Sequence, residues 1–297
     1  MSISEKMGYQ PNLAGKALRT GKTYEIAIML PFDRQGSASA MGAAQYDLIA
    51  GFSSVLNSSG YNMKLIAYTH ASESLKVFES YLSTNRPDAF VVTQLEPQDK
   101  RLELLMKKQI PFITFGKSDL PIPHHSFDFD NYEFTFQATN DFIAQGKKRI
   151  LFVVVNDNYM HYIHQINGFV NASKKHNSKS DYFFDVIKVD ANDDKKTLSS
   201  LNKLLSDCDA VITVSIHLTY LIKKSARHLG ITIGKELALC CSTATPSLLQ
   251  MLDIPVKCYF QDFSKAGEIF SRLAINVAEN PNLEASSRLD SYEIINI

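Results

Sequence analysis

The chain has 297 residues, 45% of them hydrophobic, with 31 basic and 31 acidic side chains. That length suits one large or two medium domains. Zero formal charge argues against a surface given mainly to nucleic acid, because phosphate neutralisation calls for a basic excess; it leaves room for a small basic head.

The N-terminus has no apolar core of the signal-peptide kind, and no stretch approaches the roughly 18 apolar residues of a membrane span. A cytoplasmic protein is expected. Pro11 suits the first turn of a helix. Residues 12–19 then make barely two turns, too few to be stable alone in water. Gly15 weakens that segment by roughly 1 kcal/mol relative to Ala.

From Tyr24 onward, apolar runs and helical periodicities alternate. Ile26–Pro31 reads as a buried strand and residues 41–58 as a helix, with Ala44, Leu48, Phe52 and Val55 in register. Gly60 is placed to end it. Strands follow at 64–68, 89–92 and 111–115, with helices at 71–84 and 97–108 between them. His124 and His125 fall in a loop with Pro121 and Pro123 and are expected to be solvated. After residue 130 the pattern repeats. Helices are predicted at 132–144, 160–175, 195–206, 217–229 and 263–278, and strands at 149–155, 183–189, 210–214, 237–241, 256–260 and 292–297.

This alternation predicts parallel sheets with helices on both faces. The uninterrupted apolar runs fit strands covered on both sides. Two such units, divided near residue 129, predict two lobes with a ligand cleft between them. The scattered cysteines, Cys208, Cys240, Cys241 and Cys258, have no metal-like spacing and read as small buried side chains. No cofactor or metal is expected. Gly116-Lys117-Ser118 lacks the upstream glycines of a phosphate-binding loop, and no nucleophile–base order is legible, so no enzyme is predicted.

The order of several short motifs carries more. Gly8-Tyr9-Gln10-Pro11-Asn12 followed by Leu18-Arg19-Thr20-Gly21-Lys22-Thr23 resembles the hinge of LacI/GalR-type bacterial transcription regulators. Asp130-Asn131, Gly146-Lys147-Lys148-Arg149-Ile150, Gly168-Phe169 with Ala172, and Gln261-Asp262-Phe263 with Gly267 resemble later stretches of the same family, in the same order. The resemblance implies an α/β, two-lobed type I periplasmic-binding-protein-like fold, each lobe a parallel sheet flanked by helices. It implies residues 1–23 as a remnant of the DNA-binding head and hinge. The first lobe would take residues 24–129 with about 262–285, and the second 130–261 with about 286–297. Only seven residues precede Gly8, so the helix-turn-helix is expected to be largely missing.

By the same resemblance, Leu18 would wedge into the minor groove of operator DNA, with Asn12, Lys16 and Arg19 beside it. A homodimer is implied, to which the helices at 41–58 and 71–84 could contribute. The effector would bind in the cleft. Gln165 stands where sugar-sensing members carry Arg, Ser215-Ile216 where they carry Asn-Asp, and Cys241-Ser242-Thr243 where they carry Gly-Phe-Asp. Charged partners for sugar hydroxyls have thus become neutral. Tyr162, His164, Gln165, Ser215 and Thr243 are expected as a different hydrogen-bonding set, together with Asp262. Phe263 can stack on a ligand ring. Gln45 and Tyr46 begin the helix facing the cleft, and Lys117 can meet an acidic group. The function expected is that of an effector-controlled transcriptional regulator for a saccharide-like ligand. The alternative is a periplasmic-type solute-binding protein for a sugar transporter, which shares the fold.

Overall fold

Two six-stranded sheets carry the chain in a computed structural model, which describes residues 19–32, 40–174, 176, 181–190, 192–243 and 245–297. The expected hinge contacts Asn12, Lys16 and Leu18 lie outside these residues. Arg19 is described, exposed in a helical turn just before the first strand.

The first sheet contains β1 (Glu25–Pro31), β2 (Asn62–Tyr68), β3 (Ala89–Val92), β4 (Phe112–Phe115), β5 (His125–Phe129) and β11 (Ser287–Asp290). The second contains β6 (Arg149–Val155), β7 (Phe183–Val189), β8 (Ala210–Thr213), β9 (Ala238–Thr243), β10 (Lys257–Phe260) and β12 (Glu293–Asn296). Their spatial orders are β11-β5-β4-β3-β1-β2 and β12-β10-β9-β8-β6-β7. Every pairing is parallel except β10 with β12, which is antiparallel.

Strand alternation divides each core into two faces. Along β1, Ile26, Ile28 and Leu30 pack toward α1 (Ala40–Leu56) and α9 (Phe263–Glu279). Ala27 and Met29 pack toward α2 (Ser74–Thr84) and α3 (Lys100–Lys107). Along β6, Ile150, Phe152 and Val154 meet α4 (Asn131–Ala144) and α5 (Met160–Ser173). Leu151 and Val153 meet α6 (Asp194–Leu204) and α7 (Ile216–Leu229). Each large side chain buried this way contributes roughly 1.5–3 kcal/mol. Gly168 lets α5 lie against α4: a Cβ there would overlap Tyr132 O and Thr135 Oγ1.

The chain passes between lobes three times, at Asp130, at Gln261–Asp262 and at Ser291–Tyr292. Residues 287–290, expected with the second lobe, instead pair with β5 in the first sheet. Ser-Arg-Leu-Asp is a short edge strand with no apolar run, so its sequence carries no strand signal. The loop expected around His125 is also corrected. His125 opens β5 and is 7% exposed, with its ring nitrogen Nδ1 3.1 Å from Ser286 Oγ. Pro121 and Pro123 end before that strand begins. A short helix, α8 (Pro246–Gln250), lies between β9 and β10. No helix among the described residues is long and apolar enough to cross a membrane.

Candidate functional site in the interlobe cleft

All three crossings meet in one hydrogen-bonded group. Asp128, from the first lobe's β5, accepts from Lys117 N at 3.0 Å and from Asn131 Nδ2 at 3.0 Å. Asn131, at the head of α4, accepts at Oδ1 from Gln165 Nε2 at 2.8 Å and from Tyr292 Oη at 3.1 Å. Gln261 Nε2 in turn donates to Tyr292 Oη at 3.1 Å. Sequence separations of up to 164 residues (128 to 292) are thus closed within a few ångströms of Asn131.

Burial raises Asp128 to about 7, against the pull of the Lys117 and Phe129 N–H groups and the Asn131 amide. Burial also holds the Tyr292 phenol well above its ordinary value, with the Asp128 charge adding to it. On α5, burial lowers His164, and the charge of Lys117 lowers it further while Asp130 and Asp119 oppose. The Lys117 charge of the first lobe is thus felt at His164 of the second. His161, one turn earlier, is pushed down to about 3 by burial and by His164.

The expected residues divide by what their polar atoms already do. Lys117, through its backbone N–H, and Gln165, through its side-chain amide, join the group around Asp128 and Asn131, and His164 precedes Gln165 on α5. Gln45 is half-buried, and its Nε2 donates to Pro31 O at 2.8 Å, at the carboxyl end of β1. Tyr46, about 100° further round the helix, is 73% exposed. Tyr162 is buried in the aromatic core of the second lobe, with its ring centroid 4.0 Å from that of His161. Ser215 caps α7 by accepting from Leu218 N at 3.2 Å. Thr243, at the carboxyl end of β9, accepts at Oγ1 from Thr245 N at 3.1 Å. Asp262 caps α9 through Lys265 N at 2.9 Å. It also lines a cavity of about 120 Å³ with Phe127, Phe129, Phe260 and Lys265, well below the roughly 300 Å³ at which small-molecule sites begin. Phe263 packs into an aromatic cluster, 5.4 Å from Phe115 and 5.6 Å from Phe129 between ring centroids.

Sequence reasoning placed Asn131 in a family motif without giving it a role at the site, and it passed over Asp128, Gln261 and Tyr292 as functional positions. The one available signal was an acidic residue flanked by two aromatic ones, Phe127-Asp128-Phe129.

Away from the crossings the lobes touch again. Met160 N donates to Leu95 O at 2.7 Å, and the Met160 side chain, 6% exposed, joins the first lobe's core. Tyr159 of the second lobe hydrogen-bonds Tyr68 of the first. Tyr68 in turn bonds Arg101, which is buried against Asp99 at 2.5 Å. The hydrogen-bonded group at the crossings thus lies where the two lobes meet, the place at which α/β proteins of this architecture bind ligands.

Comparison with known proteins agrees with this architecture. Residues 45–219 match the family model described as periplasmic binding proteins and sugar binding domain of LacI family. The HTH-type transcriptional regulator RafR of Escherichia coli is 28% identical over 179 residues, covering 59% of this chain and 51% of that protein. The chain thus spans about half the length of the curated relatives it matches, 51% and 56% for two of them. Among solved structures, a "probable maltose operon transcriptional repressor" of Staphylococcus superposes with a TM-score of 0.81 at 19% identity, over 93% of this chain and 97% of that one. A transcriptional regulator CelR–cellobiose complex gives 0.77 at 17% identity, over 98% and 86%. With the family model covering more than half of its length, the chain belongs to the family of periplasmic binding proteins and sugar-binding domains of the LacI family.

Proposed function

We propose that this chain is the effector-sensing core of a LacI-type transcriptional regulator, a binding protein and not an enzyme. A saccharide-like molecule would enter the cleft, and the resulting change in lobe geometry would pass to operator DNA through the segment before β1. Protomers would act as homodimers in the cytoplasm. The observation that carries the reading is the convergence of all three crossings on Asn131, beside Gln165 and His164 of the cleft. A ligand touching α5 there would bear directly on the segments that set the lobe angle. Such control requires that the ligand bind one lobe arrangement more tightly than another.

A thermal-shift panel of neutral and phosphorylated sugars tests the reading. A ligand at a hundred times its Kd adds about 2.7 kcal/mol, which in a chain of this size raises Tm by about 4–5 °C. A full panel without any shift would sink the saccharide assignment.

A further inference from the structure

The two lobes begin their first strands in the same way, with one difference. Asp88, just before β3, and Asp209, just before β8, each donate a backbone N–H to the strand beside them, Asp88 to Glu25 O at 2.9 Å and Asp209 to Arg149 O at 3.0 Å. On the other side, Tyr24 O and Lys148 O accept from Asn62 N and Phe183 N, both at 2.8 Å. Glu25 thus matches Arg149, Tyr24 matches Lys148 and Thr23 matches Lys147. In the second lobe the Asp209 carboxylate takes the N–H groups of Lys148 and Arg149, at 2.9 and 3.0 Å. In the first lobe the Asp88 carboxylate reaches one residue further back. It takes Tyr24 N at 2.9 Å, Thr23 N at 2.8 Å and the Thr23 hydroxyl at 3.0 Å. Glu25 N donates instead to Thr23 Oγ1, at 3.3 Å.

The shift goes with the backbone at Tyr24, whose φ of 55° lies in the left-handed region; Lys148 does not adopt it. A tyrosine stays in that region where its surroundings hold it there. The Asp88 carboxylate holds its N–H, Asn62 its carbonyl, and the Tyr61 ring lies 5.7 Å from its own. The difference matches how the chain arrives. The second lobe is entered from α4, and Lys147 N donates to Phe142 O at 2.9 Å, so the end of that helix sets the direction. The first lobe is entered through residues 19–22, of which Arg19, Thr20 and Gly21 are exposed. Asp88 gives Thr23 N what the helix gives Lys147 N.

We propose that Asp88 is a positioning residue for the segment before β1. By gripping Thr23 as well as Tyr24 it builds a rigid elbow, so that residues 19–22 turn with the first lobe and do not swivel at the strand end. A change of lobe geometry then reaches that segment undiminished. The part played in DNA control rests on the regulator reading above. The elbow itself does not, and it can be tested without ligand or DNA.

Limited trypsin digestion under native conditions, read by mass spectrometry, is the first test. Cleavage after Lys22 follows the fraction of time the elbow is open. Asp88→Ala is expected to speed that cut by about tenfold or more and Thr23→Val by about threefold, with Thr23→Ser close to the wild type. Cleavage after Arg19, outside the elbow, should stay within about twofold. Asp209→Ala removes the matching carboxylate of the other lobe and should leave the Lys22 bond protected. No acceleration in Asp88→Ala overturns the proposal, as does equal acceleration by Asp209→Ala, which marks general loosening. Should Asp88→Ala fail to fold, the Thr23→Val and Thr23→Ser pair decides, and equal rates overturn the elbow. The second test reads the swivel itself, by electron double resonance between nitroxides on Arg19→Cys and Glu79→Cys. Glu79 is exposed on α2; Cys208→Ser removes the one half-exposed thiol, and dilution with unlabelled protein confines the signal to one chain. A narrow distance distribution is expected, broadened by Asp88→Ala and not by Asp209→Ala. A broad distribution before any change at Asp88 overturns the proposal. A negative result in either test falls on the elbow alone, whereas the regulator reading stands or falls with the sugar panel.

Discussion

A carboxyl group shut away from water, with neutral donors as its nearest partners, holds its proton more tightly than it does in the unfolded chain. Asp128 is raised in this way from 3.8 to about 7, burial being the main cause and Asp130 adding to it. The sign follows from linkage. Its contribution to stability is full below 3.8, falls as pH rises, and is lost by about 7, a difference on the order of 4 kcal/mol. His161 acts in the opposite sense. Pushed down to about 3 by burial and His164, it contributes fully above 6.5 and loses that contribution as pH falls toward 3. The two trends overlap between about 4 and 6.5, so the wild-type profile alone cannot separate them. Urea unfolding of the wild type and of Asp128→Asn at pH 5 and pH 8 does so. The variant is expected to lose clearly less stability between the two values. Identical pH dependence in both proteins would show that Asp128 does not titrate in that window.

Among the elements, α5 reaches toward the first lobe from two of its turns. Its first turn sends Met160 into the first lobe's core and its second turn sends Gln165 to the crossings. Met160→Asp would set an unpaired charge in that apolar site, which several kcal/mol of desolvation oppose, and the lobes should part. The expected result is a radius of gyration above the about 19 Å of a compact chain this long, with both lobes still folded by circular dichroism. An unchanged radius would show that this contact does not hold the lobes. That α5 is a helix was legible in the sequence, as were most strands, because Ile150–Val155 and Ala89–Val92 are unbroken apolar runs. β5 was not: His-Ser-Phe-Asp-Phe mixes polar and aromatic residues and follows a proline loop. Nor was β11, whose side chains lie at an exposed sheet edge. The site divides in the same way. Gln165 and Lys117 could be singled out because local motifs mark them, Gly168-Phe169 three residues on and Gly116-Lys117-Ser118 after a strand. Tyr292 and Gln261 gain meaning only from partners more than 30 residues away in sequence, and periodicity says nothing about such distances.

At the scale of the whole molecule, two copies are expected to associate. Multi-angle light scattering at micromolar concentration should give about twice the chain mass of 33.3 kDa, and a mass of one chain would count against the dimer. The triple crossing has a further consequence, one of timing. The first lobe begins with β1 near the start of the described chain, yet it needs α9 against α1 and β11 beside β5 to close its core and its sheet. The second lobe is completed by β12, only three residues after β11 ends. On a ribosome, which delivers residues from the N-terminus at roughly 5–20 per second, the first lobe therefore waits, with its α9-facing surface uncovered, while nearly the whole of the second is made. The two lobes reach completion almost together, as the last strands emerge. Two bodies in space are in this sense a single folding event in synthesis, and during that interval the nascent chain depends most on whatever shields the aromatic face of Phe127, Phe129 and Phe115 until Phe263 and Phe270 arrive to cover it.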